Sequence, residues 1–261
     1  MPTRPPTQSD FPPSLTITLT PPPKSTSTNN RPPPNILLLL HGLGDTHTPF
    51  TSLASSLHLA ETTILTIQAP HTLPFSFPGF HWGDDINFDS RTGALDMDAG
   101  FEKATKLLVE DIVRDILIKK CGYTLREILV WGFGQGGVLG VVCAEQIHGL
   151  GIGDDGKGEL GGVISIGGAF PLSLAGKKTG SQGNGKSRTP VLLVAGRDSE
   201  IVTENAVKRT KDVFEFVEVH YYSRRGDTMP RSREEMLPIM RFLGRRLRSW
   251  LGVPEGCVEI S

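Results

Sequence analysis

The stretch Ile128-Leu-Val-Trp-Gly132-Phe133-Gly134-Gln135-Gly136-Gly137 decides the fold, because a short apolar run of strand length passes through a glycine-rich turn into a helical pattern. Two kinds of machine use such a turn. Read as Gly132-x-Gly134-x-x-Gly137, it matches the dinucleotide fingerprint, in which glycines let the backbone approach a pyrophosphate at a helix N-terminus. That fingerprint also needs an acidic residue about 20 positions on, to hold a ribose hydroxyl. Here the next strand ends Ser165-Ile-Gly-Gly168, and Asp154 and Asp155 lie in the polar loop before it, where they would point away from a cofactor. Read as Gly132-x-nucleophile-x-Gly136, the turn is a nucleophile elbow, whose middle residue projects from the sheet. That middle residue is Gly134, and it has no side chain to attack with.

Outward from this turn the pattern repeats. Near-continuous apolar runs at 36–40, 63–67, 128–131, 163–166, 191–195 and 216–221 alternate with segments of three- and four-residue apolar spacing at 49–59, 96–120, 136–148, 203–214 and 232–250. Strands apolar on both faces belong to a sheet covered on both sides. The expected fold is therefore α/β, a doubly wound and mainly parallel sheet with helices on both faces. Residues 14–20 alternate Leu15, Ile17 and Leu19 with Ser and Thr, the pattern of a half-buried edge strand.

The chain has 261 residues, 38% apolar and 21% charged, with a net charge of -1, enough for one domain with a full core. Eleven of its 20 prolines fall in the first 34 residues, so residues 1–13 are expected to form a disordered leader before a domain spanning 14–251. Polar, Gly-rich excursions are expected at 149–162 and 176–189, and a tail at 252–261. The balanced charge argues against a nucleic-acid binder, and no apolar run approaches the ~18 residues of a membrane span. No secretory signal is read at the start, and Cys121, Cys143 and Cys257 form neither a disulfide framework nor a zinc site, which points to a cytoplasmic location.

Four ordered motifs at successive strand ends carry a resemblance: Leu-Leu-His41-Gly-Leu-Gly-Asp45, Gly-Phe-Gly134-Gln-Gly-Gly, Gly162-Val-Ile-Ser-Ile-Gly-Gly168 and Val-Ala-Gly196-Arg-Asp198. Together they resemble the acyl-protein thioesterase and carboxylesterase family of α/β-hydrolases, over roughly residues 14 to 251. The resemblance implies an α/β-hydrolase fold with a Ser-His-Asp triad and no cofactor. It puts Gly134 at the nucleophile position, Asp198 at the triad acid, and the backbone N–H groups of Leu43 and Gln135 in the oxyanion hole. The histidine position falls in Arg225-Gly226-Asp227-Thr228, on Asp227. Two of three triad side chains are thus replaced. The reading is a non-catalytic pseudo-hydrolase that binds a small acyl-type ligand or a protein partner. Its alternative is an active carboxylic-ester or thioester hydrolase with an unrecognised nucleophile, and a dinucleotide-binding protein is a remote one.

Other residues offer candidate chemistry. Phe75, Phe77, Phe80 and Trp82 share a Pro- and Gly-interrupted loop that either lines a cleft at the strand ends or is pinned to the core by its aromatics. His41 is read as structural and His220 as a strand residue, while Ser165, Ser173, Ser223 and Cys143 stand on no elbow. His71, His81, Asp84 and Asp85 match no standard metal spacing, so no metal is expected. Arg241, Arg245, Arg246 and Arg248 end the last helical segment, either as a solvated face at a helix C-terminus or as a dock for an acidic partner or membrane surface.

Overall fold

Alternate residues of one strand can reach two different cores only if both faces of the sheet are covered. The computed structural model describes residues 2–23, 31–74, 77–86, 98, 100–150, 158–176, 185–251 and 253. Its strands are β1 (Ile17–Thr20), β2 (Asn35–Leu40), β3 (Thr62–Ile67), the two-residue β4 (His71–Thr72) and β5 (Phe80–His81), β6 (Ile128–Phe133), β7 (Gly162–Ile166), β8 (Val191–Gly196) and β9 (Val217–Tyr222). The helices are α1 (His47–Leu57), α2 (Glu102–Lys106), α3 (Gln135–Leu150), α4 (Glu204–Val213) and α5 (Arg233–Arg246). Seven strands form the main sheet in the order β1-β3-β2-β6-β7-β8-β9, all parallel except β1, which runs antiparallel to β3 at the edge.

Along β2, Ile36, Leu38 and Leu40 pack with α3 and the segment after α2, while Leu37 and Leu39 pack with α1 and α5. The expected doubly wound architecture is what the sheet order and these two cores describe. Helix α2 begins at Glu102 rather than at 96, where the carboxylate of Asp84 accepts the N–H groups of Glu102 (2.6 Å) and Lys103 (2.8 Å). It continues as a π-helical stretch over Leu107–Lys120. Strand β9, expected to be buried, is a half-exposed edge, because among the described residues no strand pairs with its outer side.

The first residues depart from the mobile leader expected of their prolines. Gln8–Asp10 forms a short helical turn closed by Arg4, whose guanidinium pairs with Asp10 at 2.6 Å. The Arg4 N–H donates to the Cys121 carbonyl and Phe11 is buried in the main core. Prolines forbid regular ladders but not packing, and the Gln8–Asp10 turn and Phe11 pack against the domain. The described ends of the polar excursions are also anchored. Glu159 is buried against Arg126 at 2.6 Å, and Thr189 accepts the Leu160 N–H at 3.0 Å. Residues 151–157, 177–184 and most of the 252–261 tail lie outside the described residues. Among the described residues no helix is long and apolar enough to cross a membrane.

If the first residues belong to the core, Phe11→Ala lowers the unfolding free energy by about 3 kcal/mol in urea titration. A mobile leader would leave it unchanged.

Candidate functional site

Register brings the site together before any side chain is considered. Strands β2 and β6 are paired with Leu40 opposite Gly132, so Leu43 and Gln135 each stand three residues beyond a matched pair. At the end of β6 the chain turns so tightly that a Cβ on Gly132 would overlap the Gly136 carbonyl, and one on Gly136 would stand 2.5 Å from the His41 carbonyl oxygen. Only glycine lets α3 start this close to β2. Between them Gly134 has φ +52°, a left-handed conformation that a residue with a Cβ adopts at a cost. Its N–H donates to the Ile166 carbonyl at 2.7 Å, and the first full helical bond runs from Val138 to Gly134 at 3.0 Å. Gln135 therefore lies in the first turn, where N–H groups have no carbonyl one turn back. Among the described residues, nothing accepts from the N–H of Leu43 or of Gln135.

A latch holds the two donor loops. Trp82 is fully buried; its backbone N–H donates to Gln135 Oε1 at 2.7 Å and its indole Nε1–H to the His41 carbonyl at 2.8 Å. Phe80 adds an antiparallel bridge, its carbonyl accepting from Gly44 and its N–H donating to Asp45. Of the four aromatics read as cleft lining, Trp82 is thus a core anchor, Phe80 pins the loop, Phe77 is exposed to solvent, and Phe75 lies outside the described residues. The anchoring role of Trp82 and Gln135 joins residues 53 apart in sequence, so no local pattern announces it.

The three positions that the resemblance assigns to a triad lie near the carboxyl ends of β6, β7 and β8. Gly134 binds Ile166 at the end of β7, and Asp227 packs on the next residue, Gly167, where a Cβ would stand 2.8 Å from the Asp227 Cβ. No imidazole is there. The Asp227 carboxylate accepts the Gly196 N–H at 2.9 Å and the Ser199 hydroxyl at 2.7 Å. Asp198 accepts the Gly226 N–H at 2.8 Å and faces the Arg225 guanidinium at 3.7 Å. Ser199 is a residue the sequence reading passed over, since its partner lies 28 residues away.

The remaining candidates are occupied elsewhere. Ser165 donates to the Gly168 carbonyl at 2.9 Å beneath α3, and Ser173 is bound to Asp98. Burial pushes the Cys143 thiol up to about 12, which keeps it protonated and unreactive. His71 and His81 stack across β4 and β5 with ring centroids 5.3 Å apart, while Asp84 caps α2. Among the described residues, no three His, Cys, Asp or Glu side chains are arranged to hold a metal ion.

His41 is the titratable group built into the donor loop. Ala69 donates its N–H to His41 Nε2 at 3.0 Å, which leaves the proton on Nδ1, facing the Gly42 carbonyl at 2.8 Å. Burial holds the ring below the usual histidine range, and protonating Nε2 would set two donors against each other.

A doubly wound parallel sheet with a strand-turn-helix elbow at its carboxyl edge and two backbone donor loops beside it defines an α/β-hydrolase. Residues 24–244 match the Phospholipase/Carboxylesterase family, and the chain belongs to it. With that assignment the dinucleotide-binding alternative falls away. An uncharacterized hydrolase of Schizosaccharomyces pombe is 28% identical over 214 residues, covering 80% of this chain and 82% of its own. The fold is shared with Zea mays acyl-protein thioesterase 2 at TM-score 0.65 and 20% identity, over 89% of this chain and 99% of that one. Esterase PE8 gives TM-score 0.67 at 19% identity, with the same coverage.

The depressed pKa of His41 sets a pH dependence. An unfolded imidazole takes up its proton near pH ~6.5 and the folded one only at lower pH, so this stability is complete above that value and declines as the pH falls below it. Between about pH 7 and about pH 5 the Tm is expected to fall, and His41→Leu to flatten part of the slope. The same variant leaves the Ala69 N–H without its acceptor and lowers stability at neutral pH by about 1 to 3 kcal/mol in urea titration.

Proposed function

We propose that this chain is a non-catalytic member of its family, a pseudo-hydrolase that holds an acyl-type ligand or partner group at a retained oxyanion pocket. One observation carries the reading: glycine stands at the elbow with φ +52°, and a carboxylate, already bound to a backbone N–H and a hydroxyl, stands where the resemblance expects an imidazole. Covalent catalysis at the elbow needs an oxygen to attack, an imidazole to take its proton and an acid to hold the ring. Asp198 has no ring to hold. Losing the nucleophile costs about 10⁶ in rate, whereas oxyanion stabilisation and binding alone leave about 10³ to 10⁴ over water. The backbone donors of Leu43 and Gln135 do not depend on side-chain identity, so they outlast the triad and can polarise a bound carbonyl. The buried thiols Cys121 and Cys143 agree with a reducing, cytoplasmic setting.

The contact between Ser199 and Asp227 favours a second reading, an active hydrolase that uses this serine. Against it, the Ser199 oxygen also accepts the N–H groups of Val202 at 2.8 Å and Ile201 at 3.3 Å, which leaves it no free lone pair for attack. It also follows β8, two strands from β6, which is ~10 Å from the elbow donors at the usual strand spacing.

The native chain is expected to show no stoichiometric labelling by a fluorophosphonate probe and no turnover of short p-nitrophenyl esters. Labelling that Ser199→Ala abolishes would establish the second reading instead. Gly134→Ser alone is expected to remain inactive and to lose about 1 to 3 kcal/mol of stability, measured in urea, from the left-handed backbone. Gly134→Ser combined with Asp227→His is expected to gain esterase activity that neither single variant has.

A further inference from the structure

The arginines at the end of α5 do not simply face water. They converge with arginines from two other loops on a cavity of about 380 Å³, lined by Arg126, Arg188, Arg245, Arg246 and Arg248 with one acidic side chain, Glu159. Arg126 precedes β6, Arg188 precedes β8, Arg245 and Arg246 end α5 and Arg248 follows it, so segments far apart in sequence bring five guanidinium groups to one place. The site lies at the amino ends of the parallel strands. One strand length of six residues separates it from the elbow, ~20 Å at the usual rise per residue.

The favourable interaction of cations with the C-terminus of a long helix accounts for Arg245 and Arg246 alone, since Arg126 stands in the three-residue turn Leu125–Glu127 and Arg188 in a loop. Carboxylates inside the cavity do not account for the rest. Glu159 is buried and taken by Arg126 at 2.6 Å, with Arg188 at 4.0 Å. The other acidic partners sit outside the lining: Glu215 against Arg188 at 3.3 Å, Glu218 against Arg245 at 2.7 Å, and Glu127 against Arg248 at 3.7 Å. The first two of these pairs are about half exposed on both sides, and such pairs contribute little and exchange readily for a better anion. Among the described residues no carboxylate stands within ion-pair distance of Arg246; its guanidinium lies 5.7 Å over the Phe242 ring and its buried Nε has no acceptor. Burial and the adjacent Arg245 push its guanidinium pKa down against the opposing charge of Glu218, and Arg126 adds to the lowering. Phe216 and Pro190 supply an apolar wall, with the Arg188 guanidinium 5.9 Å over the Phe216 ring.

We propose that this arginine-lined pocket binds a polyphosphorylated small molecule. Guanidinium groups hold phosphate oxygens in pairs, and five of them around one cavity can meet several phosphates at once, the half-exposed carboxylates of Glu215 and Glu218 giving way to phosphate oxygens. The cavity volume suits a ligand of that size. The proposal is independent of whether the elbow is catalytic, because the two sites lie at opposite edges of the sheet.

Thermal shift and titration calorimetry with sodium tripolyphosphate test it on the full chain, with sulfate at matched ionic strength as control. Saturable binding is expected, with a Tm rise of about 3 to 6 °C at about ten times Kd, diminishing as salt is added. Arg188→Gln and Arg246→Gln are each expected to weaken binding about tenfold or more, while Arg233→Gln, outside the pocket, leaves it unchanged. Co-sedimentation with phosphatidylcholine vesicles, with and without phosphatidylinositol bisphosphate, distinguishes the source. Binding to both soluble polyphosphate and the bisphosphate vesicles identifies a lipid headgroup, and binding to the soluble anion alone identifies a free metabolite. Absence of saturable tripolyphosphate binding, or binding undiminished in both pocket variants, overturns the proposal.

Discussion

The close approach of α3 to the carboxyl ends of β2 and β6 is the constraint on which the molecule is built. Gly136 lies against the Leu40 and His41 carbonyls, and Gly132 lies under the first turn of the helix. Nothing larger than hydrogen fits at either place. With the helix start held there, its unpaired N–H groups face the edge of the sheet, and the 41–45 loop has a fixed surface to fold against. Trp82 then spans the two loops with one backbone and one indole hydrogen bond.

This construction separates scaffold from reactivity. The features that shape the site are backbone features: glycine clearances, first-turn donors and strand register. Those that would make it react are side chains, and in the reading proposed above two of them are replaced. At the third position Asp198 has been drawn into a contact with Gly226, and Asp227 ties the Gly196 and Ser199 turn together. The carboxylates therefore do structural work that an imidazole at position 227 would not do in the same way. With glycine at position 134, the elbow is relieved of the left-handed strain that a residue with a Cβ would carry there.

The two edges of the parallel sheet are chemically unlike. At the carboxyl edge, backbone donors and small residues surround the elbow. At the amino edge, five arginines gather on a cavity where the strand-entry loops and the end of α5 meet. Parallel strands make this possible, because every crossover brings its incoming loops to one side and its outgoing loops to the other.

Much of this was legible in the residues. The apolar runs 36–40, 63–67, 128–131, 163–166 and 191–195 specified buried parallel strands, because only a sheet covered on both faces buries consecutive side chains. The glycines of 132–137 specified a tight strand-to-helix turn. These are local properties of spacing and of which atoms a residue possesses. Tertiary structure alone decided the rest. The leader read as mobile from its prolines is docked because Phe11 finds a core that only the folded domain supplies. The aromatic loop became a latch through Trp82, and the arginines at 245–248, which taken alone read as a solvated helix end, became a pocket once Arg126 and Arg188 joined them. Each depends on partners brought together from distant parts of the chain, and local spacing carries no record of such meetings.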